Sequence, residues 1–371
     1  MYKSYKFRLY PNKTQLEEIN KMFKGIRYVY NYYLKTIIET NYKGPKQNLL
    51  DYEQKLKHTN PLLQTVDKEI IIKTLFNLDD NIKKSIAENT KYPKYKSKND
   101  KISYTIKTNN EQNIKLDLFN QQITLPKLNV LKIRGYRNLS KIEGKIMRLT
   151  ISKELNGKYY ISLLYKIVEI KQNINPKSIV GLDLGITTLL TLSDGTTYEN
   201  NKYILKYEKR INRLQKELSR KVPYSNNYYK CKEKVRKAYS KLKNARKFYI
   251  HQITKEITDN YDIIICEKLN TKELTMKKQN AKNILDASFY EIITQLQYKC
   301  KFKQKHFYQI DTYYPSSQKC SLCSNIDKTY KNLSERTYKC KHCHNELDRD
   351  LNASINIMFE GLKLHMKTIN N

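Results

Sequence analysis

The sequence predicts a multidomain protein of mixed α/β and β class. Alternating apolar residues over Tyr2–Tyr10, and again in short runs between residues 102 and 170, predict strands. Between residues 12 and 89 the apolar residues recur every three or four positions, which predicts helices. Two short apolar runs that end in Asp183 and Glu267 predict buried strands. We therefore expect a small β-barrel interrupted by a helical insert, followed by a domain built on buried strands.

The elements follow one another in a defined order. The first strand ends at Pro11, and turn signals such as Asn156-Gly157 separate the later strands. Ser193-Asp-Gly-Thr predicts a hairpin after the Asp183 strand. Residues 206–221 hold seven Lys or Arg and two Glu with a thin apolar seam, which predicts a strongly basic helix. A second basic helix is expected over residues 228–257.

Three acidic residues far apart in the chain are the candidate catalytic groups. Asp183 and Glu267 end apolar strands, and Asp350 begins a helical pattern. Hard oxygen ligands gathered at one point are what two Mg²⁺ ions need to activate water in phosphodiester hydrolysis. The set predicts a nuclease site, although each acid alone also has a structural interpretation. Asp183 between Gly181 and Gly185 resembles a phosphate loop of actin-like ATPases, but the nine glycines of the chain leave no place for a second such loop.

Four of the seven cysteines form a metal-binding pattern. Cys320 and Cys323 make one C-x2-C pair, and Cys340 and Cys343 make a second pair sixteen residues later. Two such knuckles present four thiolates tetrahedrally to Zn²⁺. Ser324 and His344 stand where glycine often follows a knuckle, and His344 is a competing ligand. The other three cysteines have no such spacing and are expected to be ordinary thiols.

The charge balance predicts a nucleic-acid partner. Lys and Arg number 71 against 36 acidic residues, a net charge of +35, and 32 tyrosines are interspersed among them. Phosphates pair with the cations, and bases stack on the rings. Lys94, Lys96 and Lys98 alternate with turn formers and tyrosines, and are candidate nucleic-acid contacts. No apolar run approaches the length of a membrane span, so no membrane partner is expected.

Taken in order, these motifs resemble the TnpB family, compact RNA-guided nucleases encoded by transposons and related to Fanzor proteins and type V CRISPR effectors. The resemblance runs along the whole chain. It rests on Tyr5-Lys-Phe-Arg-Leu-Tyr-Pro, Tyr92-Pro-Lys-Tyr-Lys-Ser-Lys98, Gly181-Leu-Asp-Leu-Gly, Pro315-Ser-Ser-Gln-Lys-Cys320 and Asp348-Arg-Asp-Leu-Asn-Ala.

The resemblance implies four regions. They are a wedge-like β-barrel (residues 1–10 and 102–172), a helical recognition lobe (11–101), an RNase H-like RuvC nuclease domain (173–315 and 345–371) and a zinc ribbon insert (316–344).

The resemblance also implies residue roles. Asp183, Glu267 and Asp350 become the catalytic triad that binds Mg²⁺, and Cys320, Cys323, Cys340 and Cys343 become the zinc ligands. Asp350 fits better than its neighbour Asp348 because it stands two residues before Asn352-Ala353. Arg336 is expected to clamp the scissile phosphate. Ser354 departs from the family pattern by replacing its usual second alanine.

The function implied is RNA-guided cleavage of DNA by a single RuvC site. A noncoding guide RNA would provide sequence specificity, and the protein would read a short motif beside the target DNA. A monomer bound to RNA is expected, in the cytoplasm (nucleoid) of a prokaryote or in the nucleus for a Fanzor-like protein. The alternatives are a non-guided DNA-binding accessory protein and a resolvase-like nuclease of a transposon.

Overall fold

The computed structural model describes residues 1–39, 49–107, 114–135, 142–168, 176–269, 287–331 and 335–369. The chain divides into two compact units, Met1–Ile170 and Lys171–Asn371. The finer division into four regions remains a prediction.

The first unit begins with a strand and continues with helices. Strand β1 spans Tyr2–Tyr10, and helix α1 spans Lys13–Glu39. Helix α2 (Leu49–Thr59), a 3-10 turn (Pro61–Thr65) and helix α3 (Lys68–Ala87) follow. The predicted apolar positions of α1 are buried, namely Ile19, Met22, Phe23, Ile26, Val29 and Tyr30. The helical insert expected from the 3.6-residue period is therefore confirmed.

Six further strands complete the sheet of the first unit. They are β2 (Ile102–Lys107), β3 (Lys115–Asp117), β4 (Gln122–Leu125), β5 (Asn129–Arg134), β6 (Lys145–Lys153) and β7 (Tyr159–Lys166). The strand order is β2-β6-β7-β1-β5-β4-β3, with every pair antiparallel. The first strand of the chain thus lies at the centre of the sheet.

The predicted β-barrel is not closed. Within the described residues, β2 and β3 are the two edges of the sheet and do not pair with each other. Strand β3 has three residues, so it offers few backbone groups for a closing ladder. The observed structure is an open seven-stranded sheet, and the barrel prediction is corrected to that extent.

The second unit contains a mixed five-stranded sheet. Its strands are β8 (Ile179–Leu184), β9 (Thr188–Leu192), β10 (Thr197–Glu199), β11 (Ile263–Glu267) and β12 (His306–Ile310). The order is β10-β9-β8-β11-β12. The first three strands are antiparallel, whereas β11 runs parallel to both β8 and β12. Gly195 adopts a φ of +90° in the hairpin that Ser193-Asp-Gly-Thr predicts.

Four helices are described in this unit. They are α4 (Tyr203–Ser219), α5 (Asn226–Asn260), α6 (Phe289–Lys303) and α7 (Arg349–Ile369). Helices α4 and α5 share a small core that includes Ile211 and Leu214. Leu205, which the sequence predicts as part of the apolar seam of α4, is 56% exposed, so the seam is narrower than predicted.

A two-stranded ribbon precedes the last helix. Strands β13 (Thr337–Lys339) and β14 (Glu346–Asp348) are antiparallel, and they flank the second cysteine pair. Among the residues that the structure describes, no helix is long and apolar enough to cross a membrane.

Candidate active site and metal centre

The register of the central strands brings Asp183 and Glu267 to the same level of the sheet. Strands β8 and β11 are parallel neighbours, and Ile263 pairs with Ile179 while Cys266 pairs with Leu182. One further step in this register aligns Glu267 with Asp183. The two carboxylates therefore lie side by side near the ends of adjacent parallel strands.

Helix α7 packs on the face of the sheet that carries both carboxylates. A Cβ on Gly181 of β8 would lie 2.1 Å from the Ser354 carbonyl oxygen, so the helix touches the strand backbone there. Gly361 meets the side chain of Ile265 on β11 in the same way. Side chains two residues apart on a strand share a face, so Asp183 and Glu267 both lie on the side of α7.

The beginning of α7 delivers the third carboxylate. Asp350 is in the first turn, one helical turn before the Ser354 contact with Gly181. Asp183 lies two residues beyond Gly181 on the strand. The distance from Ser354 to Asp350 along the helix is similar to the distance from Gly181 to Asp183 along the strand, because a helix rises 1.5 Å and a strand about 3.3 Å per residue. Ser354 fits this buried contact because its hydroxyl donates to the Leu351 carbonyl at 2.8 Å.

The three acids form an electrostatically strained set. Burial raises the pKa of Asp183 to about 8, and the charges of Glu267 and Asp350 add to this effect. Burial also raises the pKa values of Glu267 and Asp350. Carboxylates that disfavour one another's ionised form are the arrangement that a bound divalent cation relieves. The donor set and its environment therefore fit Mg²⁺.

The three carboxylates are not gathered as tightly as the ligands of one small ion. In the described residues, the four cysteines are the one set of three or more potential ligands close enough to hold a metal ion, and their sulfurs all lie within 4.8 Å of one another. Two metal ions in a nuclease site lie about 3.5–4 Å apart, so their ligands spread over a wider space. A two-ion site therefore does not require the three carboxylates to form a compact cluster.

Neighbouring polar groups hold two of the acids in place. The Ser316 hydroxyl donates a hydrogen bond to Glu267 Oε1, which opposes the rise in the pKa of that carboxyl. Arg336 Nη1 lies 3.3 Å from Asp350 Oδ2, and its Nη2 lies 3.3 Å from Thr187 Oγ1. The Arg336 carbonyl also accepts from the Arg349 amide at 2.8 Å. The structure thus places the predicted phosphate clamp beside the acids.

Asp348 has a different role from Asp350. Its Oδ1 accepts hydrogen bonds from the amides of Asp350 and Leu351, both at 2.9 Å. These amides belong to the first turn of α7, where backbone donors have no partner within the helix. Asp348 therefore caps the helix that carries Asp350.

The four cysteines that the sequence predicts as zinc ligands lie together. The Cys320 and Cys343 sulfurs are 3.6 Å apart, and those of Cys323 and Cys340 are 3.5 Å apart. A tetrahedron of sulfurs around zinc at 2.3 Å has edges of about 3.8 Å. The cluster therefore has the size of a zinc site. His344, the competing ligand in the sequence, is not part of the set.

The two knuckles have the same backbone geometry. The Cys320 amide donates to the Asn325 carbonyl and the Ser324 amide to the Cys320 carbonyl, at 2.8 and 3.0 Å. In the second knuckle, Cys340, Asn345 and His344 repeat this pattern, at 2.9 Å for both bonds. Ser324 and His344 have φ values of +66° and +59°, the left-handed conformation that glycine adopts without strain. The knuckle fold is kept despite the missing glycines.

Two asparagines that the sequence analysis assigned no role attach the first knuckle to α7. Asn352 is buried, accepts from the Ser321 amide at 2.9 Å and donates to the Lys319 carbonyl at 2.8 Å. Asn356 donates to the carbonyls of Ser316 and Lys319. In the sequence, the only indication of this role is that two asparagines stand four positions apart and so share one face of the helix.

The lysines at 94, 96 and 98 belong to the first unit and differ in their surroundings. Lys96 Nζ lies 4.0 Å from the centre of the Tyr30 ring, and burial lowers the pKa of this lysine. Lys98 lines a cavity beside α1. Lys94 is exposed. Their role as nucleic-acid contacts remains a prediction.

Family models match three parts of the chain. Residues 162–278 match OrfB_IS605, described as a probable transposase, and residues 289–357 match the Cas12f1-like TNB domain. Residues 1–46 match a helix-turn-helix domain of the OrfB_IS605 group. Within the described residues of that segment, the structure has one strand followed by the single helix α1.

Individual relatives extend these matches over nearly the whole chain. "Putative RNA-guided DNA endonuclease InsQ" of Escherichia coli (strain K12) is 29% identical, over 96% of this chain and 92% of the relative. A "Putative RNA-guided DNA endonuclease" of Streptomyces pristinaespiralis is also 29% identical, over 97% of this chain and 89% of the relative. The chain has the fold of Cas12f1 as seen in its complex with sgRNA and target DNA. The TM-score is 0.62 at 14% identity, and the match covers 96% of this chain and 98% of the Cas12f1 chain. The resemblance to the TnpB family is confirmed.

Proposed function

We propose that this protein is the RNA-guided DNA endonuclease of a transposable element, with one RuvC-type site. The observation that carries the proposal is the convergence of Asp183, Glu267 and Asp350 on one face of the sheet, at the start of α7. The relatives named as RNA-guided endonucleases align with nearly all of the chain.

Asp183, Glu267 and Asp350 are the residues that would hold Mg²⁺. When bound, the ions supply an activated water and stabilise the leaving oxygen of the phosphodiester. The chain itself contributes the burial and mutual repulsion that make these carboxylates avid for a cation. The Ser316 hydroxyl fixes the orientation of Glu267, so this ligand loses little freedom on binding.

Arg336 supplies positive charge at the edge of the acidic site. Its contacts with Thr187 and Asp350 hold the guanidinium next to the carboxylates. A guanidinium matches a phosphate through paired N–H donors, so a DNA phosphate that approaches Asp350 meets a donor already in place. Arg336 is proposed to orient the scissile phosphate rather than to take part in proton transfer.

The rest of the chain fits a nucleic-acid carrier. The net charge of +35 requires a polyanionic partner larger than a short duplex, and a structured guide RNA meets that need. Base pairing by the RNA would select the DNA, while the protein reads a short flanking motif. The finer division into a wedge domain, a recognition lobe, a RuvC domain and a zinc ribbon belongs to this proposal.

The test separates chemistry from binding. Asp183→Ala and Glu267→Ala remove metal ligands, so DNA cleavage should fall by orders of magnitude while affinity for RNA and DNA changes little. The matched control is Glu233→Ala, which removes an exposed carboxylate of α5 that pairs with Lys237.

Cleavage and binding are measured on the same preparations, by gel assay and by filter retention. Full cleavage by either triad variant would refute the assignment of the site. Equal loss of cleavage in Glu233→Ala would show that the effect is not specific to the triad.

A further inference from the structure

A cavity on the surface of the first unit is outside the nuclease site. It has a volume of about 530 Å³, within the range of sites that hold small organic groups. Most of its lining comes from one side of α1, over three successive turns. These residues are Lys24, Arg27, Tyr28, Asn31, Tyr32 and Lys35.

The cavity presents stacked aromatic rings. Tyr28 and Tyr32 are one helical turn apart, with ring centroids 5.8 Å apart and ring planes inclined by 22°. Tyr32 remains 41% exposed although it has this neighbour. An exposed ring that continues a stack is a surface on which a nucleobase can lie.

A second segment brings another ring to the cavity. Asn31 Nδ2 donates to the Lys96 carbonyl at 2.9 Å, and Asn31 Oδ1 accepts from the Lys96 amide at 2.8 Å. These two bonds hold residues 92–98 against α1. The Lys96 side chain lies over Tyr30, whereas the adjacent Tyr95 lines the cavity and is 53% exposed.

The cations of the cavity are available to an anion. In the described part of the chain, no carboxylate is within ion-pair distance of Lys24 or Arg27. Lys35 pairs with Glu39 at 3.5 Å, on the exposed surface. Exposed pairs of this kind contribute little free energy, so Lys35 can exchange its partner for a phosphate.

A second cavity continues the same charged surface. It has a volume of about 510 Å³ and shares Lys24 and Arg27 with the first. It adds Lys21, Lys98 and Lys153, with Glu17 as its single acidic lining residue. Two adjoining cavities with cations at their junction suit a chain of phosphates better than a single free nucleotide.

We propose that the Tyr28/Tyr32 cavity binds an unpaired nucleotide of a nucleic-acid strand. The base stacks on the two tyrosines, and the flanking phosphates contact Lys24 and Arg27 on their way to the second cavity. The nucleotide belongs to the guide RNA or the target DNA, and this part of the inference rests on the proposed function. The geometry of the cavity does not depend on it.

Photocrosslinking of the full protein–RNA–DNA complex tests the proposal. One arm carries 5-iodouridine in the RNA, and the other carries 5-iodo-2′-deoxyuridine in the DNA. An iodinated base couples on irradiation to the aromatic ring on which it stacks. We expect a crosslink in one arm on the tryptic peptide of residues 28–35, and that arm identifies the source of the nucleotide.

Variants define the role of the ring. Tyr32→Ala should reduce the crosslink to residues 28–35 and weaken binding of the crosslinking strand by roughly 5- to 100-fold. Tyr32→Phe keeps the aromatic ring and should retain both the crosslink and the affinity for the strand. Tyr2→Ala removes an exposed tyrosine of β1 and should retain both as well. No crosslink to residues 28–35 in either arm, or full crosslinking by Tyr32→Ala, would overturn the proposal.

The two proposals fail in different ways. If the wild-type complex cuts DNA under RNA guidance without this crosslink, only the cavity assignment is wrong. If the wild-type protein crosslinks at residues 28–35 but does not cut DNA, the cavity assignment stands and the nuclease proposal fails.

Discussion

The side-chain oxygen of Asn352 accepts a 2.9 Å hydrogen bond from the Ser321 amide, inside the first cysteine knuckle. Asn352 lies two residues after Asp350, on the same helix α7. The cysteine cluster and the helix that carries Asp350 are therefore joined by a buried side chain. Asn356 extends this connection to the Ser316 carbonyl, and the Ser316 hydroxyl contacts Glu267. The cysteine cluster and the positions of Asp350 and Glu267 are linked through these bonds.

Removal of this link should weaken both sites. Asn352→Ala leaves the Ser321 amide and the Lys319 carbonyl without their partner, which should cost about 2 kcal/mol of unfolding free energy. Zinc release to a chelator should become roughly tenfold faster, and cleavage should slow because Asp350 is less well held. The control is Asn325→Ala, whose position is exposed in the same knuckle and bonds Cys320 through its backbone. Equal zinc release by Asn352→Ala and wild type would contradict the link.

The zinc content of the protein is a separate prediction. Freshly purified, reduced protein should contain close to one zinc ion per chain, and Cys340→Ser should lose it. Cys231→Ser, at a buried cysteine outside the cluster, should keep the metal. Elemental analysis measures all three proteins, and wild type without zinc would refute the assignment.

The two left-handed residues of the knuckles give a stability prediction. Ser324→Gly and His344→Gly should each raise the unfolding free energy of the zinc-loaded protein by about 1 kcal/mol, because glycine adopts positive φ without strain. Ser321→Gly, at a position without positive φ, should not be stabilising. Thermal unfolding of the four proteins provides the comparison. Loss of zinc from His344→Gly would instead mean that His344 is a ligand.

Asp183 makes stability depend on pH in the absence of Mg²⁺. Its pKa rises from 3.8 to about 8 in the folded state, mainly through burial. Between these values the folded protein retains a proton that the unfolded chain releases, so stability falls as pH rises through this window. Asp183→Asn has no charge to bury, and its melting temperature should exceed that of wild type above pH 8 in magnesium-free buffer.

Added Mg²⁺ should reverse this order. The ion binds the folded wild-type site and raises its melting temperature, whereas the asparagine variant lacks a ligand and should gain less. Melting curves with and without Mg²⁺, at several pH values, measure the difference. A variant that is less stable than wild type in magnesium-free alkaline buffer would contradict the electrostatic account.

Much of the second unit could be predicted from local patterns. Apolar runs define β8 and β11, and cysteine spacing defines the metal cluster, because each is set by a few adjacent residues. The alignment of Glu267 with Asp183 depends on strand register between segments more than eighty residues apart, which periodicity does not encode. The contact of Gly181 with α7 follows from that packing, so the sequence shows the glycine but not its partner.

The first unit shows a different limit. The burial of Ile19, Phe23 and Ile26 follows from helical periodicity alone. Closure of a barrel depends on whether two edge strands meet, and the short β3 could not be recognised as an edge from its composition. Lys96 was predicted among the nucleic-acid contacts, but its position over the Tyr30 ring depends on the tertiary bonds of Asn31.

Retargeting by a changed guide RNA distinguishes an RNA-guided nuclease from a nuclease that acts without RNA. Purified protein is treated with RNase and reconstituted with the RNA from its own locus, in which the guide end has been replaced. Cleavage should move to a DNA that matches the new guide, and Asp183→Ala with the same RNA should not cut. Cleavage of the original DNA at the original site by RNase-treated protein without RNA would contradict guided function and support a resolvase-like nuclease.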